Sequence, residues 1–565
     1  MNLVLAKLTL FIKSQHLVKD VLVTKFFSIL AKNCFKMPND KITYQNSGYF
    51  SKLIVDYLDQ KAELKSLFNR FPTIENFRDQ MREKKENFPF ENREILATEI
   101  EKQYVNFEIS ESTSHNIQLL KQSNTYTITT GHQLNLFTGP LYFLYKIVTT
   151  INLCKELKIK YPSENFVPVY WMATEDHDFN EINYFYFKDK KISWNRENNG
   201  PVGRLSTDGL AIVYEAFLKE IGIGNNANYL LDLFKKSYVE NQNLSDATRY
   251  LANELFKNEG LVVVDGDAKE LKKIFIPQLK EELKNQTSFR KVNETISLLK
   301  EYTIQVNPRE INLFYIQNGL RERIVFEHGS YLINNTKLKF TEQELWVELE
   351  NHPENFSPNV IVRPLYQEVI LPNLCYIGGG GEIAYWLELK SNFEANNITF
   401  PMLLLRNSVL LSTQKQTDKA AKLDLTWHDL FLNKEELVNQ KTKEYSEFTI
   451  DFSEQKETLK KQFKALYEIA NRTDKSFLGA VKAQEIKQLK GLDKLEKRLL
   501  KAEKKIYSET LERTTSLQKE LFPNNSLQER YVNFSEYYFE FGNKLIEELV
   551  KELNPLSQEF KIITL

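Results

Sequence analysis

Five short apolar runs punctuate the middle of the chain: YTITT (126–130), FVPVYWMA (166–173), LVVVDGD (261–267), LCYIGG (374–379) and PMLLLRN (401–407), each followed by a turn and a helical stretch. Runs without period-two alternation belong to strands covered on both faces. The pattern therefore predicts an α/β fold, a Rossmann-like parallel sheet joined by helices, with ligands gathering at the carboxyl ends of the strands. The intervals 180–255 and 280–358 are too long for simple crossovers and read as inserted subdomains. Their mixed texture, FYFKDKKISWN and FYIQNGLRERIVFEHGSYLI, suggests small β elements. Residues 37–120 read as mostly helical, with Leu53, Ile54, Tyr57 and Leu58 at helical spacing.

From about 412 the texture changes. Leu459, Phe463, Leu466 and Ala470 recur at four, three and four, and Leu492, Leu495, Leu499, Ala502 and Ile506 follow the same rule. These form a heptad seam on long helices, and NRTDKS between the two segments predicts an antiparallel helical hairpin. The apolar seam must be covered, in cis or by a second chain. The predicted organisation is a core over 37–411, a helical coiled-coil domain over 412–525, and a segment over 526–565 that returns to the core with FKIITL as its last strand.

Length and composition agree with several domains of ordinary soluble character: 565 residues, 42% hydrophobic and 27% charged. A net charge of -1 gives no global attraction to nucleic acid or to an anionic membrane. Cys34, Cys154 and Cys375 are far apart and contain no CxxC, which suits a reduced, cytoplasmic protein and argues against a disulfide framework or structural zinc. Residues 1–36 hold six lysines and one acid, with apolar runs too broken for a membrane span and no cleavage site. They read as a basic amphipathic surface helix or as an extension upstream of a natural start at Met37, and the second reading is favoured.

Three stretches carry the candidate chemistry. TTGHQLNLFTGPLYFLYK (129–146) leaves the first strand and opens a helix near Pro140. Gly131 and Gly139 allow close backbone approach, Thr130, His132, Gln133 and Thr138 add donors, and the helix start offers N–H groups to an anion. Lys146, inside the helix, is either a surface lysine or a site cation. TEDHDFNEINYF (174–185) crowds Glu175, Asp176, His177, Asp178 and Glu181 together at a strand's carboxyl end. It is either a polar turn or an acid-base centre in which like charges raise carboxyl pKa values and favour a protonated histidine. Zinc is disfavoured, since neighbouring residues on an extended chain face opposite ways and no HExxH is present. A magnesium ion escorting phosphates needs only one or two of these carboxylates. In SPNVIVRPLYQEVILPNLCYIGGGGEIAYWLELK (357–390), Gly378, Gly379, Gly380 and Gly381 let the backbone approach a ligand, and Glu382, Tyr385 and Trp386 follow on a helix. Tyr385 and Trp386 are packing residues or ring-stacking ones. Arg363 and Arg406 are each a buried ion-pair partner or an anion clamp.

Together TGHQLNLFTGPLYFLYK, VPVYWMATEDHDFNEIN and SPNVIVRPLYQEVILPNLCYIGGGGEIAYW, with GYFSKLIVDYLDQ and LVVVDGD, resemble the bacillithiol biosynthesis cysteine-adding enzymes, the BshC family. The resemblance runs from about 37 to the C-terminus. It implies a Rossmann-like core with inserted connecting-peptide modules, similar to class I aminoacyl-tRNA synthetases, and a coiled coil that mediates homodimerisation. It also implies ATP-dependent ligation of L-cysteine to the amine of glucosaminyl-malate. On that reading ATP lies against the TGHQ loop and the GGGGE turn with Arg363 or Arg406, and His177 or one of Glu175, Asp176 and Asp178 takes the amine proton. The chain departs from the family pattern at GHQ (for GQQ), at Thr174 (for Gly) and at GGGGE (for GGPGE). No KMSKS-like loop is evident. Two alternatives remain: another adenylate-forming ligase, and a non-catalytic nucleotide-binding coiled-coil scaffold.

Overall fold

The structure, a computed structural model, describes residues 41–198 and 200–565; the expected extension over 1–36 lies outside the described residues. The chain folds into two compact units, one of residues 43–411 with 526–563 and one of residues 412–525.

The larger unit is built on five parallel strands: β1 (Thr125–His132), β2 (Asn165–Met172), β3 (Val262–Asp265), β4 (Asn373–Gly378) and β5 (Met402–Leu405), in the order β5-β4-β1-β2-β3. Every predicted apolar run is a strand of this sheet. All residues of β1 are buried, because helices cover both faces. On one face Tyr126 and Ile128 pack with Phe77, Met81, Leu153, Leu157, Leu374 and Leu404. Helix α1 (Tyr142–Lys160) makes the crossover from β1 to β2 and is buried along most of its length. Helix α2 (Arg363–Ile370) leads into β4, and helix α3 (Gly380–Leu387) leaves it. The strand order reverses between β1 and β4, and a crevice opens there at the strands' carboxyl ends.

Two insertions interrupt this core. Between β2 and β3 lies a hairpin, Tyr184–Phe187 with Lys190–Ser193, followed by three helices. Between β3 and β4 lies a five-stranded antiparallel sheet formed from segments of residues 313–358, larger than the small β elements expected. The last strand, Glu559–Thr564, joins a separate three-stranded sheet with Ser408–Ser412 and Lys41–Thr43, not the parallel one.

The smaller unit is helical. Ser453–Ala470 and Lys475–Ile506 form the expected hairpin, the second helix capped by the Asp474 side chain accepting from the Ser476 N–H. Its seam joins Phe463 and Ala470 to Val481, with Leu459, Tyr467 and Leu478 against them. Leu466, expected in the seam, is exposed because the face turned to the second helix passes through Tyr467 instead; Leu495 and Ile506 are also exposed. Among the described residues no helix is long and apolar enough to cross a membrane.

At the opposite end of the sheet from the crevice, Lys84 and Glu368 form a fully buried ion pair at 3.1 Å, and Glu368 also accepts from the Asn373 amide at 2.6 Å. Removing one member leaves the other as a buried, unpaired charge. Lys84→Met should therefore lower the unfolding free energy in urea by about 3–5 kcal/mol. Adding Glu368→Gln, which keeps an acceptor for Asn373, should restore most of that loss. A single-mutant cost under about 1 kcal/mol would show that the pair is not what holds this end of the sheet.

Candidate functional site

A cavity of about 550 Å³ opens at the carboxyl ends of the parallel strands. Its wall takes Gly131 and His132 from β1, Trp171 and Met172 from β2, Gly266 after β3, Gly379, Gly380 and Gly381 after β4, and Arg406 after β5. This is the crevice that the strand order creates at its switch point.

One wall is organised by Lys146. Its ammonium pairs with Glu382 at 2.5 Å and donates to the Gly131 carbonyl at 2.7 Å. Glu382 in turn accepts from the Tyr376 hydroxyl at 2.7 Å and from the Gly379 N–H at 2.9 Å, capping α3. Burial pushes the Lys146 pKa down against the pull of Glu382, whereas for Glu382 burial is outweighed by Lys146 and the pKa falls. Lys146 is thus a buried partner of Glu382 and not a surface lysine. Arg363, at the start of α2, donates to the Tyr385 hydroxyl at 2.8 Å. Among the described residues no carboxylate forms an ion pair with it. A Cβ on Gly378 would lie 2.9 Å from that of Glu382, so this glycine is fixed by the strand-to-helix turn. At Gly381 a Cβ would meet nothing, and at Gly379 and Gly380 only ordinary contacts. The protein's own packing does not require these three glycines; what their bare backbone does is keep the cavity wall open.

The other wall carries the acids. Glu175 is buried and pairs with Lys272, which also donates to the Phe356 carbonyl at 2.6 Å. Burial holds the Glu175 carboxyl above its usual range despite Lys272. Asp176 accepts from the Gln133 amide at 3.0 Å and from the His177 N–H at 2.8 Å; although burial opposes it, these bonds and the nearby Arg321 lower its pKa. The other proton of the Gln133 amide goes to Glu181 at 2.9 Å. The crowded acids are therefore separated by partners, and burial, rather than mutual repulsion, raises Glu175. His177 is half exposed at the rim, and Arg321 from the inserted sheet places its Nη1 2.7 Å from the His177 Nδ1. Arginine only donates, so in this contact Nδ1 is the acceptor.

Several expected site residues lie elsewhere. The Thr130 hydroxyl donates to the Ile377 carbonyl at 2.7 Å inside the sheet. Gly378 lies within the turn, and Trp386 is fully buried, stacked on Tyr376 at 4.4 Å. Asp178 is exposed beyond the rim. The start of α1 is covered: the Leu141 N–H donates to the Val532 carbonyl at 2.8 Å, and the Asn533 amide donates to the carbonyls of Phe137 and Gly139. Thr138 and Gly139 therefore lie against this segment and outside the main cavity, and Gly139, Pro140 and Tyr142 line a second, smaller pocket of about 270 Å³ at that helix start. Arg406 forms a buried two-pronged ion pair with Glu529 at 2.7 and 3.0 Å, the structural reading of its two, yet its Nε has no partner and lies toward Gly379. Tyr376, Lys272, Arg321 and Glu529 were missed. Tyr376 sits within an apolar run, and the others lie in charge-rich stretches whose partners are distant in the chain.

His132 lines the cavity with its Nε2 buried and unpartnered, and burial, with Lys146 nearby, holds its pKa well below 6.5. An imidazole that is neutral when folded and protonated when unfolded contributes stability that is complete above about pH 6.5 and is lost as the pH falls. The melting temperature should therefore drop on acidification below about pH 6.5, and His132→Gln should flatten that part of the profile. An unchanged slope in the variant would show that His132 carries none of it.

The sequence description "Bacillithiol biosynthesis BshC, N-terminal Rossmann-like domain" matches residues 37–407, and "Bacillithiol biosynthesis BshC, C-terminal coiled-coil domain" matches 409–565. Curated relatives named "Putative cysteine ligase BshC" include proteins of Flavobacterium johnsoniae, 65% identical over 94% of this chain and 100% of the relative, and Christiangramia forsetii, 55% identical over 94% and 99%. A relative of the same name from Bacillus mycoides is 28% identical over 88% of this chain and 95% of its own. With a parallel sheet and a helical hairpin in the units those descriptions cover, the chain belongs to the BshC family of bacillithiol biosynthesis.

Proposed function

We propose that the protein is an ATP-dependent ligase that activates the carboxylate of L-cysteine and joins it to the amine of glucosaminyl-malate, completing bacillithiol. The observation that carries this reading is the pairing of two unlike walls in one cavity. One is a bare glycine backbone beside Arg363, whose partner is a phenol; the other is an acid wall of Glu175 and Asp176 after β2, with the exposed His177 next to it in the chain.

ATP supplies the activating phosphoryl or adenylyl group. The chain's residues fit such a molecule: Gly379, Gly380 and Gly381 allow close approach, and Arg363 and the Arg406 Nε offer donors to phosphate oxygens. Glu175, Asp176 and Glu382 are each engaged with Lys272, Gln133 or Lys146. A magnesium ion would therefore be held chiefly by phosphate oxygens, with Asp176 the nearest available carboxylate on the acid wall. His177 at the rim takes the proton from the attacking amine, and Asp176, with its Oδ1 3.5 Å from Nδ1, stabilises the imidazolium. Positioning and charge neutralisation supply most of the acceleration. The exposed apolar residues Leu495 and Ile506 of the helical hairpin support a homodimer through that unit.

The test is purified protein with ATP, cysteine and glucosaminyl-malate, read by mass spectrometry for the amide and for the nucleotide product. No amide and no ATP turnover from a folded protein would sink the enzyme reading. Arg363→Gln should raise the ATP dissociation constant about 10–100-fold, as expected for loss of a hydrogen bond to a charged group. His177→Ala should lower kcat about 10²–10⁴-fold, with the melting temperature nearly unchanged. If the histidine variant keeps full kcat, the base lies elsewhere on the acid wall.

A further inference from the structure

Three cations of the cavity, Arg321, Arg363 and Arg530, form no ion pair with a carboxylate among the described residues, and of these Arg321 is the one near the acids Asp176 and Glu175. Lys146 and Arg406 each have a carboxylate partner, and Lys272 has Glu175. Arg321 instead stands against a histidine, with its guanidinium carbon 3.8 Å from the Phe314 ring centre and its Nε buried without a partner. An arginine pointed at an imidazole nitrogen gains little from it; its fork has the geometry of a carboxylate. Phe314 and Arg321 belong to the inserted antiparallel sheet, on paired strands with Phe314 opposite Arg323, so the cation is held over the acid wall from outside the parallel core.

We infer that Arg321 is the residue that binds a carboxylate of the amine-bearing substrate, and that in doing so it releases His177 to accept the amine proton. The inference rests on the ligase reading above. The base and the carboxylate reader are neighbours, so the two groups they serve belong to one molecule. That molecule is the amine acceptor, because the carboxylate of the other substrate is the one consumed. With the guanidinium turned to a substrate carboxylate, Nδ1 is free. The amine nitrogen then bonds to the activated carbonyl carbon, the carbon–oxygen bond to phosphate breaks with its electron pair, and the amine proton passes to His177 beside Asp176. Without a carboxylate on the acceptor, Arg321 stays on Nδ1 and the base is blocked. This makes Arg321 a positioning and specificity residue.

The experiment compares glucosaminyl-malate with methyl glucosaminide, the same amine without carboxylates. Wild-type protein should prefer the former by about 100-fold or more in kcat/KM. Arg321→Gln should bring that preference to within a few-fold, and Arg321→Lys, which keeps the charge and loses the fork, should fall between. The ¹⁵N signals of His177 supply a readout that a merely structural role would not move. L-malate added to wild-type protein should move the Nδ1 signal from that of a hydrogen-bonded acceptor to that of a free, unprotonated nitrogen, and added to Arg321→Gln it should change nothing. A preference retained by the folded glutamine variant overturns the proposal, as does a wild-type His177 spectrum indifferent to malate. Should Arg321→Gln fail to fold, the lysine variant carries both measurements. Should the wild type ligate nothing, the ligase reading falls, and calorimetric titration with malate still decides the carboxylate site: binding lost in the variant keeps it, and equal or absent binding removes it.

Discussion

The ion pair of Lys146 with Glu382 is the constraint around which the larger unit's site is arranged. Lys146 lies on the helix after β1, and Glu382 on the helix after β4, so their contact spans the point where the strand order reverses. Each partner also holds a glycine turn: the lysine fixes the Gly131 carbonyl, and the glutamate caps α3 through the Gly379 N–H. Losing either would leave a charge in a poorly solvated crevice and free both turns together. The cavity's open wall thus depends on a pair that is itself withdrawn from chemistry.

The acid wall follows the same logic with different materials. The turn after β2 delivers Glu175, Asp176 and His177 in succession, and each meets a different partner. Lys272 comes from a helix after β3, Gln133 from the loop after β1 and Arg321 from the inserted sheet. A sequence cluster of like charges becomes a set of distinct environments. One acid is pushed up by burial, one is held down by hydrogen bonds, and the histidine is left at the rim.

Much of this architecture was legible in the chain because it depends on local pattern. The five apolar runs became the five parallel strands, the long intervals became inserted modules, and the heptad spacing became a helical hairpin. The three motifs do converge at the strands' carboxyl ends, with Gly131, His132, Gln133, Glu175, Asp176, Arg363 and Glu382 all on the cavity. What could not be read was partnership. Nothing near Arg406 announces Glu529, 123 residues later, and nothing near His177 announces Arg321, 144 residues later. Thr130 and Trp386 looked chemical by position and are structural, since strand register and ring stacking claim them. The bonding of the α1 start to Val532 and Asn533 was illegible for the same reason: that segment follows the entire helical unit.

That covering segment has a consequence for biosynthesis. Glu529, Val532 and Asn533 are made after the whole of residues 412–525, yet they neutralise Arg406 at the cavity wall and occupy the start of the helix that carries Lys146. During translation the parallel strands emerge early, while the groups that complete their crevice are still unmade. At that stage the chain lacks the carboxylate that pairs with Arg406. A ribosome that stalls, or a protease that trims the last few dozen residues, yields a sheet without a finished centre. Ligation competence is in this sense a property of chain completion.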